Sequence, residues 1–295
     1  MIPVKPFNLF GIFGYPLGHT LSPAMQEAAF VHQGIKAYYL ALELDLSDFR
    51  QTMRWLSRLQ LKGFNVTVPY KEEVLPYLDD LTPEARAIQA VNTVFIQGRR
   101  WVGANTDVYG FLRSLKEEGK FSPRRRKALI FGAGGSARAA IYGLAKEGIQ
   151  RIQIANRSRW RAKKIIRDMS TLFPRTEFKM IPLQKEYLSK SLNEVDLVIN
   201  ATSVGLSAQD PVLVKPSWVP KADSRKRLLF FDLVYRPSRT PFLKIAESRG
   251  HRVLNGRGML LFQGARAWEY WTGKKAPVHV MRRTLEKALK ESGNA

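Results

Sequence analysis

The chain has 295 residues, no cysteine and a formal net charge of +23, with a sequence pI of about 10.3. Without cysteine there are no disulfides and no thiolate metal sites, and no apolar run reaches bilayer-crossing length. The 45% hydrophobic content is that of a folded globular chain, and the length suffices for two domains.

The opening residues, Met1-Ile-Pro-Val-Lys-Pro-Phe-Asn, lack the apolar centre and cleavage site of a secretory leader. A reducing, cytoplasmic setting is therefore expected. The charge admits two readings, a nucleic-acid binder or a basic enzyme with anionic ligands. Zinc-finger spacing, an RNP1-like strand and a basic zipper are all missing, so nucleic acid is not expected as the main partner. The densest basic clusters are Arg124-Arg-Arg-Lys127 and the stretch from Arg157 to Lys164. Both are expected to flank a phosphate site.

Residues 9–13 read as a short apolar strand leading into Gly14-Tyr-Pro-Leu-Gly-His-Thr-Leu-Ser-Pro23. Thr20 and Ser22 stand two apart, just before a helix that opens near Pro23. A hydroxyl followed by proline is a helix-cap signal. The same hydroxyls could hold a carboxylate at a helix N-terminus. On these residues alone the cap is the simpler reading. The helix runs to about Gly34 with Met25, Ala28, Ala29 and Phe30 inward. Residues 37–44 alternate as a strand. Residues 47–59 form an amphipathic helix with Phe49, Met53, Leu56 and Leu59 on its core face.

Residues 64–68 predict a strand stopped by Pro69. Asn65 and Thr67 lie in phase on one face of it, and buried polar groups need partners. Lys71 follows, expected to open a helix. A cation is poorly placed on a first helical turn, which favours function there over simple solvation. A short helix is expected at 83–88 and a strand carrying Asn92 at 90–96. A turn at 98–100 leads to a strand at 101–110, whose end holds Asn105, Thr106 and Asp107. Asp107 either caps a helix at 108–115 or is a carboxylate beside Lys71.

A polar linker from Phe121 leads to the organising stretch, Lys127-Ala-Leu-Ile-Phe-Gly-Ala-Gly-Gly-Ser-Ala-Arg-Ala-Ala-Ile-Tyr-Gly143. An apolar strand, glycines at G-x-G-x-x-A spacing and helical periodicity together predict a dinucleotide-binding turn. Gly132 permits the tight turn, Gly134 lets backbone approach a pyrophosphate, and Ala137 allows close helix packing. Ala133, Gly135 and Ser136 complete the turn, and the free N–H groups of the helix start receive phosphate. The next strand, 152–155, ends at Asn156, Arg157, Ser158 and Arg159, with Arg161 beyond. NAD-binding folds usually carry an acid about 20 residues after the glycines to hold the ribose 2′-hydroxyl. Arginines stand there instead, and guanidinium suits a 2′-phosphate. NADP is therefore the cofactor inferred, with NAD the weaker option.

Further strands are expected at 196–200 and 228–233. The loop Asn200-Ala-Thr-Ser-Val-Gly205 lies where a cofactor would cross the sheet's carboxyl edge. A helix at 240–249 and a short strand at 252–254 follow. Gly256, Gly258, Met259 and Gln263 open a helix to Trp271. A last amphipathic helix spans 278–289, with Val278, Met281, Leu285 and Leu289 inward. The last two helices are expected to pack on the N-terminal part.

Taken together, these stretches resemble shikimate dehydrogenase (the shikimate/quinate dehydrogenase family) nearly end to end. The resemblance rests on Gly14-x-Pro16-x-x-His19-Thr20-x-Ser22-Pro23, Asn65-Val-Thr-Val-Pro-Tyr-Lys71, Ala90-Val-Asn-Thr93 and Asn105-Thr-Asp107. It continues through Gly132-Ala-Gly-Gly135, Asn156-Arg-Ser158, Asn200-Ala-Thr-Ser203 and Gly256-x-Gly-Met-x-x-x-Gln263.

It implies an α/β fold of two domains with a cleft between them. An N-terminal α/β substrate domain spans 1–107 with 259–295, and a Rossmann-type doubly wound parallel sheet binds NADP over 108–258. It implies reversible reduction of 3-dehydroshikimate to shikimate, a step of aromatic amino-acid biosynthesis. Lys71 and Asp107 are the implied catalytic dyad. Asn65, Asn92 and Asp107 are implied to hold the ring hydroxyls, and Thr20, Ser22 and Thr67 the carboxylate. Tyr235 and Gln263 close the pocket. Thr202, Leu233 and Gly256 join the turn residues, Asn156, Arg157, Ser158 and Arg161 along the cofactor. No metal is expected, and the chain is expected as a monomer or homodimer.

Two departures stand out. Thr20 replaces a common serine, which leaves quinate as an alternative substrate. Ser158 replaces a common threonine and keeps the hydroxyl. His19 is assigned no chemistry.

Overall fold

The computed structural model describes residues 7–18, 20–55, 58, 60–207, 209–224 and 226–291. The chain divides into two compact units, Met1–Thr106 with Leu261–Ala295, and Asp107–Leu260.

The first unit runs β1 (Asn8–Gly14), α1 (Ser22–His32), β2 (Ala37–Glu43), α2 (Leu46–Arg54), β3 (Leu61–Val66), β4 (Asp80–Leu81), α3 (Pro83–Ile88), β5 (Thr93–Gln97) and β6 (Arg100–Ala104). Its six-stranded sheet has the order β2-β1-β3-β5-β6-β4. β1, β2 and β3 run parallel, and β5 runs antiparallel to both β3 and β6. Phe13, Phe49, Phe64, Val66 and Tyr70 anchor the core on one face.

The second unit runs α4 (Asp107–Glu117), β7 (Lys127–Phe131), α5 (Gly135–Lys146), β8 (Arg151–Ala155), α6 (Arg159–Leu172), β9 (Glu177–Ile181), α7 (Lys185–Glu194), β10 (Leu197–Asn200), β11 (Leu229–Asp232), α8 (Pro241–Ser248) and β12 (Arg252–Leu254). α9 (Arg257–Thr272) begins in this unit, and its residues from Leu261 belong to the first, as does α10 (Val278–Glu291). α10 packs on α1, with His32 and His279 edge to face at 5.4 Å. It buries Met281 and Leu285.

The second sheet is wholly parallel, in the order β12-β11-β10-β7-β8-β9. This is the doubly wound Rossmann order, with its switch point between β7 and β10. The central strands β7, β8, β10 and β11 are buried on both faces, as a parallel sheet flanked by helices requires. One cluster holds Ile130, Ile141, Ile154 and Phe231, and the other holds Leu129, Val198, Phe230 and Phe242.

The structure corrects several element readings. α2 starts at Leu46, capped by the Asp45 carboxylate, which accepts Asp48 N–H at 2.9 Å, and ends at Arg54. Leu56 and Leu59 lie outside the described residues. The strand expected at 64–68 begins at Leu61 and ends at Val66. Lys71 opens no helix, because residues 68–74 form turns. Pro69 and Pro76 bracket too few residues for a helix to be propagated between them. Asn92 precedes β5 rather than lying within it, and Asp107 opens α4 rather than ending a strand. The sequence reading passed over α6, β9 and α7. β9 is an edge strand with only Ile181 fully buried, whereas α6 buries Ala162, Ile165 and Met169 and α7 Leu188, Ser191 and Leu192 at ordinary helical spacing.

Candidate active site

Strand direction gathers the polar residues of the first unit. β1, β3 and β6 deliver their carboxyl ends to one sheet edge, and antiparallel β5 brings its amino end to the same edge. Residues 15–18, Thr20, Ser22, Thr67, Asn92, Asn105 and Thr106 therefore converge. Backbone bonds pin them: Tyr15 N–H to Val68 O at 3.0 Å, Thr67 N–H to Phe13 O at 2.8 Å and Asn92 N–H to Ala104 O at 3.1 Å. The carbonyl of Lys71 accepts Val91 N–H at 2.8 Å, tethering the lysine to the same edge.

The buried side chains form one network. Asn65 donates to Asn92 O at 2.9 Å and to Thr93 Oγ1 at 3.0 Å, and accepts the Tyr39 hydroxyl at 2.7 Å. Both donors of its amide are thus committed, and its oxygen keeps one lone pair. Burial pushes the Tyr39 phenol well above its ordinary pKa, so it remains a neutral donor. Asn92 Oδ1 accepts Thr106 N–H at 2.7 Å, while Asn92 Nδ2 donates to Gln263 Oε1 at 3.2 Å. Gln263 comes from α9, so the network ties sequence positions far apart into one surface.

Ser22 is the first residue of α1 and is buried, but no side chain caps that helix. The capping reading of Ser22 is thereby corrected: Leu21 occupies the cap position. Thr20 Oγ1 accepts Ser22 N–H at 3.4 Å, which places the two hydroxyl residues together at the helix start. His19 lies outside the described residues.

The second unit presents a different edge. Gly132 follows β7 with φ +113°, and a Cβ there would lie 2.9 Å from Ala201 O. Gly134 caps α5 without a side-chain bond, a Cβ on it would meet nothing within 4 Å, and the first turn of α5 has no acid. Ala137 is fully buried against the strands. Open space before uncapped N–H groups is what a pyrophosphate requires.

At the end of β8, Asn156 Nδ2 donates to Ser158 O at 2.9 Å. The Ser158 hydroxyl oxygen is buried with no hydrogen-bond partner among the described residues. Arg157, Arg159 and Arg161 are exposed and make no ion pair among the described residues. The Arg161 guanidinium lies 5.4 Å from the centre of the Trp160 ring. With no carboxylate in the first turn of α6, these residues fit a 2′-phosphate better than a free 2′-hydroxyl.

The other basic cluster is elsewhere. Arg124 to Arg126 precede β7 and Lys127 opens it, so they sit at the amino edge of the sheet, a full strand away from the glycine turn. Arg126 pairs with Asp196 at 3.2 Å, and nearby Arg151 with Glu177 at 2.5 Å. The expectation that both clusters flank the phosphate turn is wrong for this one, because a parallel strand separates its two ends.

Family models match three parts of the chain: the shikimate dehydrogenase substrate binding domain at residues 12–94, shikimate / quinate 5-dehydrogenase at 116–237 and the shikimate 5′-dehydrogenase C-terminal domain at 256–286. A shikimate dehydrogenase (NADP(+)) of Desulforamulus reducens is 42% identical over 279 residues, covering 95% of this chain and 94% of the relative. The chain belongs to the shikimate dehydrogenase family.

Solved structures of the family agree. The shikimate 5-dehydrogenase of Thermus thermophilus, in complex with NADP(H) and shikimate, superposes with a TM-score of 0.82 at 34% identity, covering 96% of this chain and 100% of that one. A quinate dehydrogenase of Corynebacterium glutamicum, in complex with NAD, gives 0.84 at 29% identity with the same coverages.

The residues that the shikimate dehydrogenase resemblance singles out are divided between the units. Thr20, Ser22, Asn65, Thr67, Lys71, Asn92 and Gln263 belong to the first. Asp107, buried at the start of α4, belongs to the second and directly follows Thr106 of the network. Tyr235 follows β11, where burial raises its phenol pKa. Gly256 closes on the same loop: a Cβ would collide with the Leu233 carbonyl, and its N–H donates to Val234 O at 3.1 Å. Thr202 donates its N–H and hydroxyl to Asn200 Oδ1 at 3.0 and 2.7 Å.

Sequence reasoning gave no role to Tyr39, Thr93, Thr106 or Asp232. Tyr39 sits in an alternating strand and looked like ordinary core, and its one signal is a hydroxyl on a buried face. Among the described residues no group of His, Asp and Glu could hold a metal, and no helix is long and apolar enough to cross a membrane.

Proposed function

We propose that the chain is an NADP-dependent shikimate dehydrogenase that reduces the C3 carbonyl of 3-dehydroshikimate, reversibly, to shikimate. The observation that carries this reading is the coincidence of two halves. A full-length relationship to NADP-dependent shikimate dehydrogenases accompanies a β8 end built from Arg157 and Ser158 without an acid.

Gly132 to Ala137, with the start of α5, would hold the pyrophosphate, and Asn156, Arg157, Ser158 and Arg161 the 2′-phosphate. NADPH supplies a hydride there. Thr202, Leu233 and Gly256 continue the cofactor surface.

The remaining chemistry belongs to the chain. Negative charge develops on the ketone oxygen during reduction, so a proton must arrive there. Lys71 supplies that proton, and Asp107 holds the lysine and takes a ring hydroxyl. Asn92 binds a second hydroxyl. Asn65 has its amide donors committed, so it acts as an acceptor from a hydroxyl and as a support for Tyr39 and Thr93. Thr20, Ser22 and Thr67 take the substrate carboxylate, with Tyr235 and Gln263 completing the binding surface.

A second reading is a quinate/shikimate dehydrogenase that also uses NAD. Thr20 favours it, because its extra methyl reshapes the carboxylate pair, and a quinate dehydrogenase shares the fold. Purified protein assayed for reduced cofactor with shikimate or quinate, each with NADP or NAD, separates the two. Turnover confined to shikimate with NADP is expected. Comparable turnover with quinate or NAD would establish the second reading, and no turnover in any combination would overturn both.

A further inference from the structure

β10 and β11 lie on one side of the switch point, and β8 lies on the other. A dinucleotide with its pyrophosphate on α5 and its adenosine phosphate at β8 must send its other half over the ends of β10 and β11. Those ends are governed by one buried carboxylate, Asp232, which is fully inaccessible. Asp232 Oδ1 accepts Asn200 Nδ2 at 2.9 Å and Val234 N–H at 3.0 Å, and Oδ2 accepts the Thr240 hydroxyl at 2.5 Å.

Each partner fixes a further segment. Asn200 also donates to Val204 O at 2.9 Å and accepts both donors of Thr202. Thr240 accepts Leu243 N–H at 3.3 Å and so caps α8. Val234 O receives Gly256 N–H at 3.1 Å. One carboxylate thus joins the loop after β10, the loop after β11, the start of α8 and, through Val234, Gly256.

We infer that Asp232 is a positioning residue for the nicotinamide half of the cofactor, holding the loops that bear Thr202, Leu233 and Gly256 while touching no ligand itself. The inference rests on the proposed NADP-dependent function. Burial pushes the Asp232 carboxyl up to about 6, since its partners are neutral and no cation offsets the desolvation. An apolar group here would leave the Asn200 amide, the Val234 N–H and the Thr240 hydroxyl without an acceptor. Placement of the loops supplies a reason to keep the charge.

The test is binding, read with two ligands. NADP spans both sides of the switch point, whereas 2′,5′-ADP reaches only the β7 and β8 side. In Asp232→Ala, Asn200 Nδ2, Val234 N–H and the Thr240 hydroxyl lose their acceptor. NADP affinity is expected to fall about tenfold or more, the scale of hydrogen bonds to a charged group, with 2′,5′-ADP affinity unchanged. Asp232→Asn keeps Oδ1 and can donate to Thr240, so it is expected to restore most of the NADP affinity. Should the alanine variant fail to fold, Thr240→Val removes one of the three donors to Asp232, together with the α8 cap, and is expected to weaken NADP alone.

Equal losses for both ligands, or no loss for either, in the folded variants would overturn the positioning role. A wild-type chain that binds neither ligand would instead overturn the NADP reading itself, taking the inference with it.

Discussion

The carboxyl edges of the two sheets are finished in opposite ways. At the first sheet, Asn65, Asn92, Thr93, Thr106, Tyr39 and Gln263 satisfy one another, and the amides of Asn65 are fully spent as donors. At the β7–β8 end of the second sheet, the α5 start is uncapped and the Ser158 hydroxyl has no described partner. The first edge selects by fixed shape and a few remaining lone pairs. The second offers unspent donors and cations to a ligand that brings its own negative charge. A compact hydroxylated ring and a phosphate-bearing dinucleotide call for those two solutions respectively. Pre-satisfied polar networks hold their geometry, while phosphate needs uncommitted N–H groups.

The largest effect expected from this contrast is at Lys71. Lys71→Ala should lower kcat by roughly 10²-fold or more, the scale of a lost general acid, while KM for NADP stays near its original value. Steady-state kinetics with both substrates varied would read this. A comparable rise in KM for NADP would erase the division of labour between the edges.

Next is the acidic slope of stability set by Asp232. Its pKa rises from 3.8 in the unfolded chain to about 6 in the fold. The folded state therefore binds the extra proton between these values. The group's penalty is absent below about pH 4, grows as pH rises, and is complete above about pH 6, where it reaches at most about 3 kcal/mol. Urea unfolding of wild type and Asp232→Asn between pH 4 and 7 should show the variant gaining relative stability as pH rises. A pH-independent difference would mean that the carboxyl is not proton-linked to folding.

At the open edge, Arg157→Ala should raise KM for NADP about tenfold, equivalent to about 1.4 kcal/mol, with KM for NAD nearly unchanged. The matched control is Arg126→Ala on the amino edge. Its ion pair with Asp196 is exposed, so the change should move neither KM and should cost less than about 1 kcal/mol of stability. If Arg126 affected NADP as strongly as Arg157, the distinction between the two basic clusters would fail.

The smallest expected effect is at the closed edge. Tyr39→Phe removes one donor from Asn65 Oδ1, and unfolding should be easier by about 1 kcal/mol with shikimate KM raised only a few-fold. A large change in NADP affinity would contradict the separation of the two networks.

Much of this was legible along the chain because it is local. The glycine turn, the missing acid after β8 and the polar pair Asn65 and Thr67 follow from side-chain size, backbone freedom and strand period. Turns with two prolines were not legible as such: residues 68–74 carry helix-compatible side chains, but Pro69 and Pro76 leave no room to propagate a helix. The elements from α6 to α7 were passed over although both helices bury residues at helical spacing, Ala162, Ile165 and Met169 in α6 and Leu188, Ser191 and Leu192 in α7; only the edge strand β9, with one fully buried residue, carries little pattern.

Read locally, the chain encodes the parallel doubly wound unit, its phosphate turn, the β8 end without an acid and the set of polar residues at strand ends. Only the tertiary structure decided which of them are spent. Strand direction sent Arg124 to Lys127 to the amino edge and Arg157 to the carboxyl edge, a distinction that composition cannot carry. It also put Tyr39 on Asn65, Gln263 on Asn92 and Asp232 under Asn200. Hydrogen bonds between residues distant in sequence are fixed by how strands pair and which ends meet, and no local pattern encodes that choice.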